Sequence, residues 1–159
     1  DAGATVVTSD PLPARRERSL HFGAAASCDP SAGRLLEAVQ TQTQGRGADV
    51  VLLAVPHPQL VHDALTLARP GGRVLLFAQN DPLMKIEFPA AAVGVEEKEI
   101  LGSYSASVDL QEQSARLVFE LRLPLRDLIS HRFALDQMEQ ALALAARPAG
   151  NSLKVVILP

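Results

Sequence analysis

Val50-Val51-Leu52-Leu53-Ala54-Val55, followed by Pro58 and then Leu60, Val61, Ala64, Leu65 and Ala68, is the stretch that decides the fold. Its first six residues are continuously apolar, as a central parallel strand covered on both faces should be. The residues after Pro58 are spaced as the inner face of a helix, and proline suits a helix's first turn. Pro70-Gly71-Gly72 then turns the chain into a second apolar strand, Val74-Leu75-Leu76-Phe77-Ala78. Strand, helix and strand joined by short loops predict a doubly wound α/β fold around a parallel sheet.

The flanks repeat the alternation. Upstream, residues 4–9 read as a buried strand stopped at Asp10-Pro11, and residues 13–22 as an arginine-rich helix closed by Gly23. Residues 24–28 form a weak strand candidate, and Asp29-Pro30-Ser31 supplies a cap ahead of a helix carrying Leu35, Leu36 and Val39. Residues 4–9, 50–55 and 74–78 are expected in one sheet, with 4–9 pairing directly with 50–55 or another segment filling the gap. Downstream, Met84-Lys85-Ile86-Glu87-Phe88 alternates apolar and charged residues, the pattern of an edge or partner-pairing strand. Residues 99–104 read as a short strand. Asp109 to Glu112 has a capping-box layout for a helix reaching about Leu121, and Asp136 to Glu139 repeats it for a helix ending near Pro148. Residues 128–133 and 153–158 are strand-like.

Composition narrows the class. A hydrophobic share of 47% against 21% charged residues excludes disorder, and a net charge of -3 argues against nucleic acid as a partner. No apolar run approaches the length of a membrane span. The single cysteine, Cys28, forbids an internal disulfide and fits a reducing, cytoplasmic compartment. The opening at Asp1, inside an apolar-turn pattern, predicts a segment cut from a larger protein.

Doubly wound sheets bind ligands at the carboxyl ends of their strands. There stand Asp10, Ala54-Val55-Pro56-His57, Phe77-Ala78-Gln79-Asn80 and Ser103-Tyr104-Ser105. An acid ending the second strand of such a fold accepts two hydrogen bonds from an adenosine ribose and repels a 2′-phosphate, which selects NAD over NADP. Asp10 equally suits a plain cap on the following helix. The arginine run 15–18 reads as a solvated helix face, with Arg15 the one member placed to swing toward Asp10. Gly45-Arg46-Gly47 has Val50 where a third phosphate-loop glycine belongs and precedes a strand, so it is a turn. If this is a dinucleotide fold, its first strand and glycine-rich loop are expected to lie before Asp1. His57 and His62, five apart, point about 140° away from each other on a helix. His21, His131 and Cys28 lack partners at ligand spacing, and no metal site is expected.

Gly47-Ala48-Asp49-Val50-Val51, Arg69-Pro70-Gly71-Gly72-Arg73-Val74 and Lys98-Glu99-Ile100-Leu101-Gly102-Ser103 occur in that order. With Leu128 to Phe133 and Gly150 to Val156, they resemble the C-terminal half of the zinc-type medium-chain dehydrogenases, the alcohol, sorbitol and threonine dehydrogenase group. The resemblance covers essentially the whole chain. It implies an incomplete Rossmann-like sheet, residues 1–159 being a partial dinucleotide-binding domain. Its segments at about 127–133 and 153–158 return, in the family, to a catalytic domain that this segment lacks.

The implied activity is an NAD(P)-dependent oxidoreductase moving hydride between a small alcohol or polyol and nicotinamide, NAD being preferred. A zinc ion is implied for the complete enzyme but not for this chain, which would be inactive alone and carry no catalytic residue. Residue by residue, the resemblance assigns Asp10 and Arg15 to the adenosine ribose, and Ala54 and Val55 to the adenosine side. Phe77 and Ala78 fall at the nicotinamide amide, Ser103 and Tyr104 at its other side, and Lys154 near the pyrophosphate. It also implies a homodimer through residues 84–88, where Lys85 of one chain would fall opposite Glu87 of the other. A zinc-free relative of the quinone oxidoreductase type, or a non-catalytic dimerising remnant, are the alternative readings.

Overall fold

The computed structural model describes residues 3–105, 107–120, 124–147 and 150–159. In chain order the elements are β1 (Val7–Ser9), α1 (Pro13–His21), β2 (Ala26–Cys28), α2 (Leu35–Thr43), β3 (Ala48–Leu53), α3 (Pro58–Leu67) and β4 (Ala68–Leu76). There follow α4 (Ala90–Gly94), β5 (Glu99–Gly102), α5 (Gln111–Phe119), β6 (Ile129–Ala134), α6 (Met138–Ala146) and β7 (Lys154–Leu158). The expected helix ends at Leu121 and Pro148 lie outside the described residues. The fold is α/β, and every strand pair is parallel.

Contacts divide the chain into two compact units, one of residues 35–105 and one of residues 1–34 with 106–159. The first is built on the sheet β3-β4-β5. Val61, Ala64, Leu65, Ala68, Val74 and Ala92 form its buried cluster, with Val51, Leu53, Leu76, Ile86 and Ile100 packed against them. These are the α3 positions and strand residues whose spacing set the expectation. The central strand, however, is β4, where Val74 is 0% exposed. Among the described residues β3 is hydrogen-bonded on one edge only, and its Val50 and Leu52 are 56% and 54% exposed. An apolar run records that a strand is suited to cover, not which neighbour supplies it.

β4 also begins earlier than the sequence predicts and ends at Leu76. Ala48 pairs with Ala68 and Val50 with Arg73, so the Arg69-Pro70-Gly71-Gly72 turn is accommodated as a bulge within the strand. Gly71 takes φ 65, and a side chain at Gly72 would stand 2.7 Å from the Arg69 carbonyl oxygen. Only glycine fits that close approach.

Residues 84–88 form no strand among the described residues. Ile86 packs on the core cluster and Met84 is half-buried, while Lys85 and Glu87 are exposed. The alternation is real, but Ile86 is already used within the unit, while Phe88 on the same side stays exposed.

The second unit holds two separate ribbons, β1-β2 and β6-β7. β1 pairs with β2 alone among the described residues, so 4–9 neither joins the ladder of 50–55 and 74–78 nor reaches it through a described strand. This corrects the single-sheet expectation. With only three residues in each strand, side chains secure the β1-β2 ribbon. The hydroxyls of Thr8, Ser19 and Ser27 lie within 2.7–3.0 Å of one another and tie α1 to it. In β6, Ser130 interrupts the register. Its hydroxyl accepts from Leu153 N at 2.8 Å and donates to Lys154 O at 3.1 Å, which fixes the start of β7.

The two capping-box readings also change. Asp109 lies inside a 3-10 turn, Val108–Leu110, and makes no cap bond. At the second site Gln137, not Asp136, does the capping, its Oε1 accepting from Ala134 N at 3.1 Å.

Candidate functional site

The candidate residues fall into two groups, one in each unit. Asp10 follows β1 directly, at the carboxyl end of the β1-β2 ribbon, where its N–H extends the ladder to Cys28 O at 3.2 Å. Its Oδ1 accepts from Leu12 N at 2.8 Å, opening the turn into α1. That bond makes a turn ahead of α1 and does not cap it, since the N-cap is Leu12 and has no side-chain cap bond, so the plain capping reading of Asp10 is not met. Nor does the bond exhaust the carboxylate, which has about four lone-pair sites. Oδ2 lies 3.7 Å from Arg15 Nη1. Arg15 reaches on to Ser152 O through a long 3.4 Å bond, and its Nε is buried without a partner. Lys154 is exposed two residues further along, held at its backbone by Ser130.

Arg16 corrects the reading of the arginine run as a solvated face with only Arg15 near Asp10. Its Nη1 donates to Asp10 O at 2.7 Å and stands 3.1 Å from Asp29 Oδ2. Asp29 is held in turn by Ser31, whose N and Oγ donate to Oδ1 at 2.9 and 2.5 Å. Those bonds, followed by Arg16, lower the Asp29 carboxyl below its ordinary value. Asp29 was legible as a cap. That it anchors an arginine from another element was not.

In the other unit, the carboxyl ends of β3, β4 and β5 bring together Ala54 and Val55, Phe77 and Ala78, and Ser103 and Tyr104. Ser103 N donates to Leu76 O at 3.2 Å, and Phe77 N and Ala78 N both donate to Leu53 O, at 3.1 and 3.0 Å. These backbone donors are therefore engaged within the sheet. Ala78 O accepts from Asn80 Nδ2 at 3.1 Å, a contact the sequence reading did not single out. Tyr104 is 86% exposed. Val55, His57, Ala78 and Asn80 help line a shallow depression here, which encloses no cavity of the size of a usual ligand pocket. His57 is engaged as the cap of α3, its Nδ1 accepting from Gln59 N at 3.2 Å.

A wider groove of about 430 Å³ lies at the amino ends of the same strands, beside Gly47, Ala68 and Lys98. Its buried cation is already paired: Lys98 Nζ donates to Leu65 O at 2.6 Å and meets Glu96 Oε2 at 2.5 Å. Among the described residues no three of His, Cys, Asp and Glu come together as metal ligands do. No described helix is long and apolar enough to cross a membrane.

A parallel α/β chain with an acid and an arginine at the end of β1 invites comparison with dehydrogenases. The sequence model of the zinc-binding dehydrogenases matches residues 1–120. The chain belongs to that family. An L-threonine 3-dehydrogenase of Symbiobacterium thermophilum is 29% identical over 99% of this chain and 45% of its own length. Among solved structures, a zinc-binding dehydrogenase from Sinorhizobium meliloti 1021 bound to NADP superposes with TM-score 0.86 at 28% identity, covering 98% of this chain and 45% of that one. The alcohol dehydrogenase TADH from Thermus sp. ATN1 superposes with TM-score 0.84 at 25% identity, over 98% of this chain and 44% of that one. This member of the family therefore spans less than half the length of these relatives. The expected family and fold class are met.

Proposed function

We propose that this chain is the cofactor-binding part of an NAD(P)-dependent oxidoreductase acting on an alcohol or polyol in the cytoplasm. The observation that carries the reading is Asp10. It is a carboxylate at the end of β1, with one oxygen committed to Leu12 N and the other facing an arginine, in a member of the zinc-binding dehydrogenase family. Its remaining lone pairs suit the two hydroxyls of an adenosine ribose, and its charge opposes a 2′-phosphate, so NAD is the preferred form. Arg15 tempers that preference. Its guanidinium lies close enough to turn toward a phosphate, and the Sinorhizobium relative is bound to NADP.

Ala54 and Val55 would flank the adenosine side. Phe77, Ala78, Ser103 and Tyr104 would meet the nicotinamide end, and Lys154 would lie near the pyrophosphate. Because the N–H groups of Phe77 and Ala78 are engaged by Leu53 O, their contribution to a carboxamide is by carbonyl oxygen or side chain. The nicotinamide, when bound, supplies the hydride acceptor. This chain's residues bind and orient it. The metal and the proton relay implied for the complete enzyme are not drawn from these residues.

A homodimer through residues 84–88 belongs to the same reading. With Ile86 packed inward, that pairing would use main-chain groups and the Lys85–Glu87 charges rather than a free apolar face. Ile86→Pro should shift the protein toward monomer in light scattering, and an unchanged dimer would remove that element.

Calorimetric titration of the whole polypeptide with NAD and NADP tests the cofactor assignment. Asp10→Ser should narrow the difference between the two by about 2 kcal/mol, the size of one charged hydrogen-bonding contact. An unaltered difference would refute the role of Asp10. The isolated 159-residue chain should bind either nucleotide weakly and show no dehydrogenase activity.

A further inference from the structure

Arg16 links the carboxyl ends of β1 and β2 from a neighbouring helix. Its Nη1, with two hydrogens, donates to Asp10 O at 2.7 Å and faces Asp29 Oδ2 at 3.1 Å. Its side chain is 20% exposed and that of Asp29 32%, so these contacts are partly shielded from water. Three polar groups of Asp10 are then fixed at once: its N–H by Cys28 O, its carbonyl by Arg16 and its Oδ1 by Leu12 N. The direction of the other oxygen, Oδ2, which faces Arg15 Nη1 at 3.7 Å, follows from that arrangement. A ligand that needs two bonds from one carboxylate is sensitive to its orientation, and pre-set geometry spares the cost of ordering it on binding.

We infer that Arg16, anchored by Asp29, is a positioning residue that aims the Asp10 carboxylate and so sets how sharply the protein tells NAD from NADP. The inference rests on the cofactor assignment of Asp10 proposed above. Arg16 touches no ligand in this role and acts only through Asp10. A lysine at position 16 would keep the charge but not the planar, pre-organised guanidinium that holds Nη1 between the two acceptors.

The experiment measures dissociation constants for NAD and NADP on the whole polypeptide carrying Arg16→Gln, Arg16→Lys, Asp10→Asn and the Asp10→Asn/Arg16→Gln pair. Arg16→Gln should reduce the NAD-over-NADP affinity ratio about fivefold, a smaller loss than removing the Asp10 charge because only the ordering of its carboxylate is released. Arg16→Lys should recover part of it. In the Asp10→Asn background, Arg16→Gln should change the ratio no further, because nothing remains to be aimed. Should Arg16→Gln fail to fold, Asp29→Asn removes the anchor while leaving the bond to Asp10 O. It should shift the ratio in the same direction by less.

If Asp10→Asn collapses the ratio but neither Arg16→Gln nor, where that variant does not fold, Asp29→Asn moves it, the positioning role is wrong and the cofactor assignment stands. An equal weakening of both nucleotides, or an undiminished Arg16→Gln effect in the Asp10→Asn background, would likewise overturn the positioning role. If Asp10→Asn leaves the ratio untouched, the cofactor assignment falls and the inference falls with it.

Discussion

The two units of this chain are held together by different means. In residues 35–105 the described buried side chains are aliphatic apart from Lys98, most of them gathered under β4 and along α3. In the other unit the described buried side chains are Ala141 and Ser152. There the ribbon β1-β2 is secured by three mutually bonded hydroxyls and by the arginines of α1. Burial of apolar area is non-directional, whereas hydrogen bonds fix orientation. The aliphatic unit is thus suited to supply stability, and the polar one to hold Asp10 at a set angle.

Removing core volume breaks the comparison most severely. Leu65→Ala in α3 should cost about 2–5 kcal/mol in urea unfolding, since Leu65 is fully enclosed by the core cluster. Leu142→Ala, on an exposed position of α6, should stay within about 0.5 kcal/mol. Equal costs at the two positions would mean that the aliphatic unit is not the source of stability. Next in size is Gly72→Ala. Its Cβ would meet the backbone oxygens of Arg69 and Ala48 at 2.7 and 3.1 Å, neither of which can turn aside. A loss of about 1–3 kcal/mol is expected. At Gly102 in β5 no atom lies within 4 Å of such a Cβ, so alanine there should be neutral to within about 0.5 kcal/mol.

These effects follow the division between what could be read from the residues and what could not. The inner face of α3 was legible because Val61, Ala64 and Leu65 repeat at helical spacing, and periodicity is a local property. The placement of β3 at an edge was not, because Val50 and Leu52 carry no mark of the neighbour that would cover them. Likewise the alternation at 84–88 showed two faces but not that Ile86 turns into its own core. In the candidate site, Asp10 was legible by its place at a strand end. Arg16 was not, since its contact with Asp29 depends on how α1 lies across the ribbon. Local pattern reached the elements and the strand-end residues. Side-chain ties between elements needed coordinates.

The hydroxyl cluster sharpens the polar side of the comparison. Ser19 Oγ lies 2.7 Å from Thr8 Oγ1 and 3.0 Å from Ser27 Oγ. Ser19→Ala should cost about 1 kcal/mol in urea unfolding, the net worth of a half-buried hydrogen bond together with the disturbance of its partners. A cost near that of Leu65→Ala would assign the hydroxyls a larger structural share than the comparison allows.

The smallest effect is electrostatic and contrasts a carboxylate from each unit. Asp49, at the start of β3, accepts from Arg46 at 2.7 and 2.8 Å and from Arg69 Nε at 2.6 Å. Hydrogen bonds from these guanidiniums, Arg46 first, lower its carboxyl to about 2 from an ordinary 3.8. A carboxyl depressed in the folded state contributes stability above its unfolded value, and that contribution is lost as pH falls through the folded one. The gap between the wild type and Asp49→Asn should therefore be constant above about pH 5 and close between pH 4 and 2. Asp29 is lowered chiefly by the hydroxyl and N–H of Ser31, with Arg16 contributing less. Neutral donors at bonding distance are little affected by ions, while exposed charge pairs are screened. One molar salt should then shrink the Asp49 gap at pH 6 and leave the gap for Asp29→Asn nearly as it was. Equal salt sensitivity at the two sites would show that Arg16 grips Asp29 by charge more than Ser31 does by hydrogen bonding.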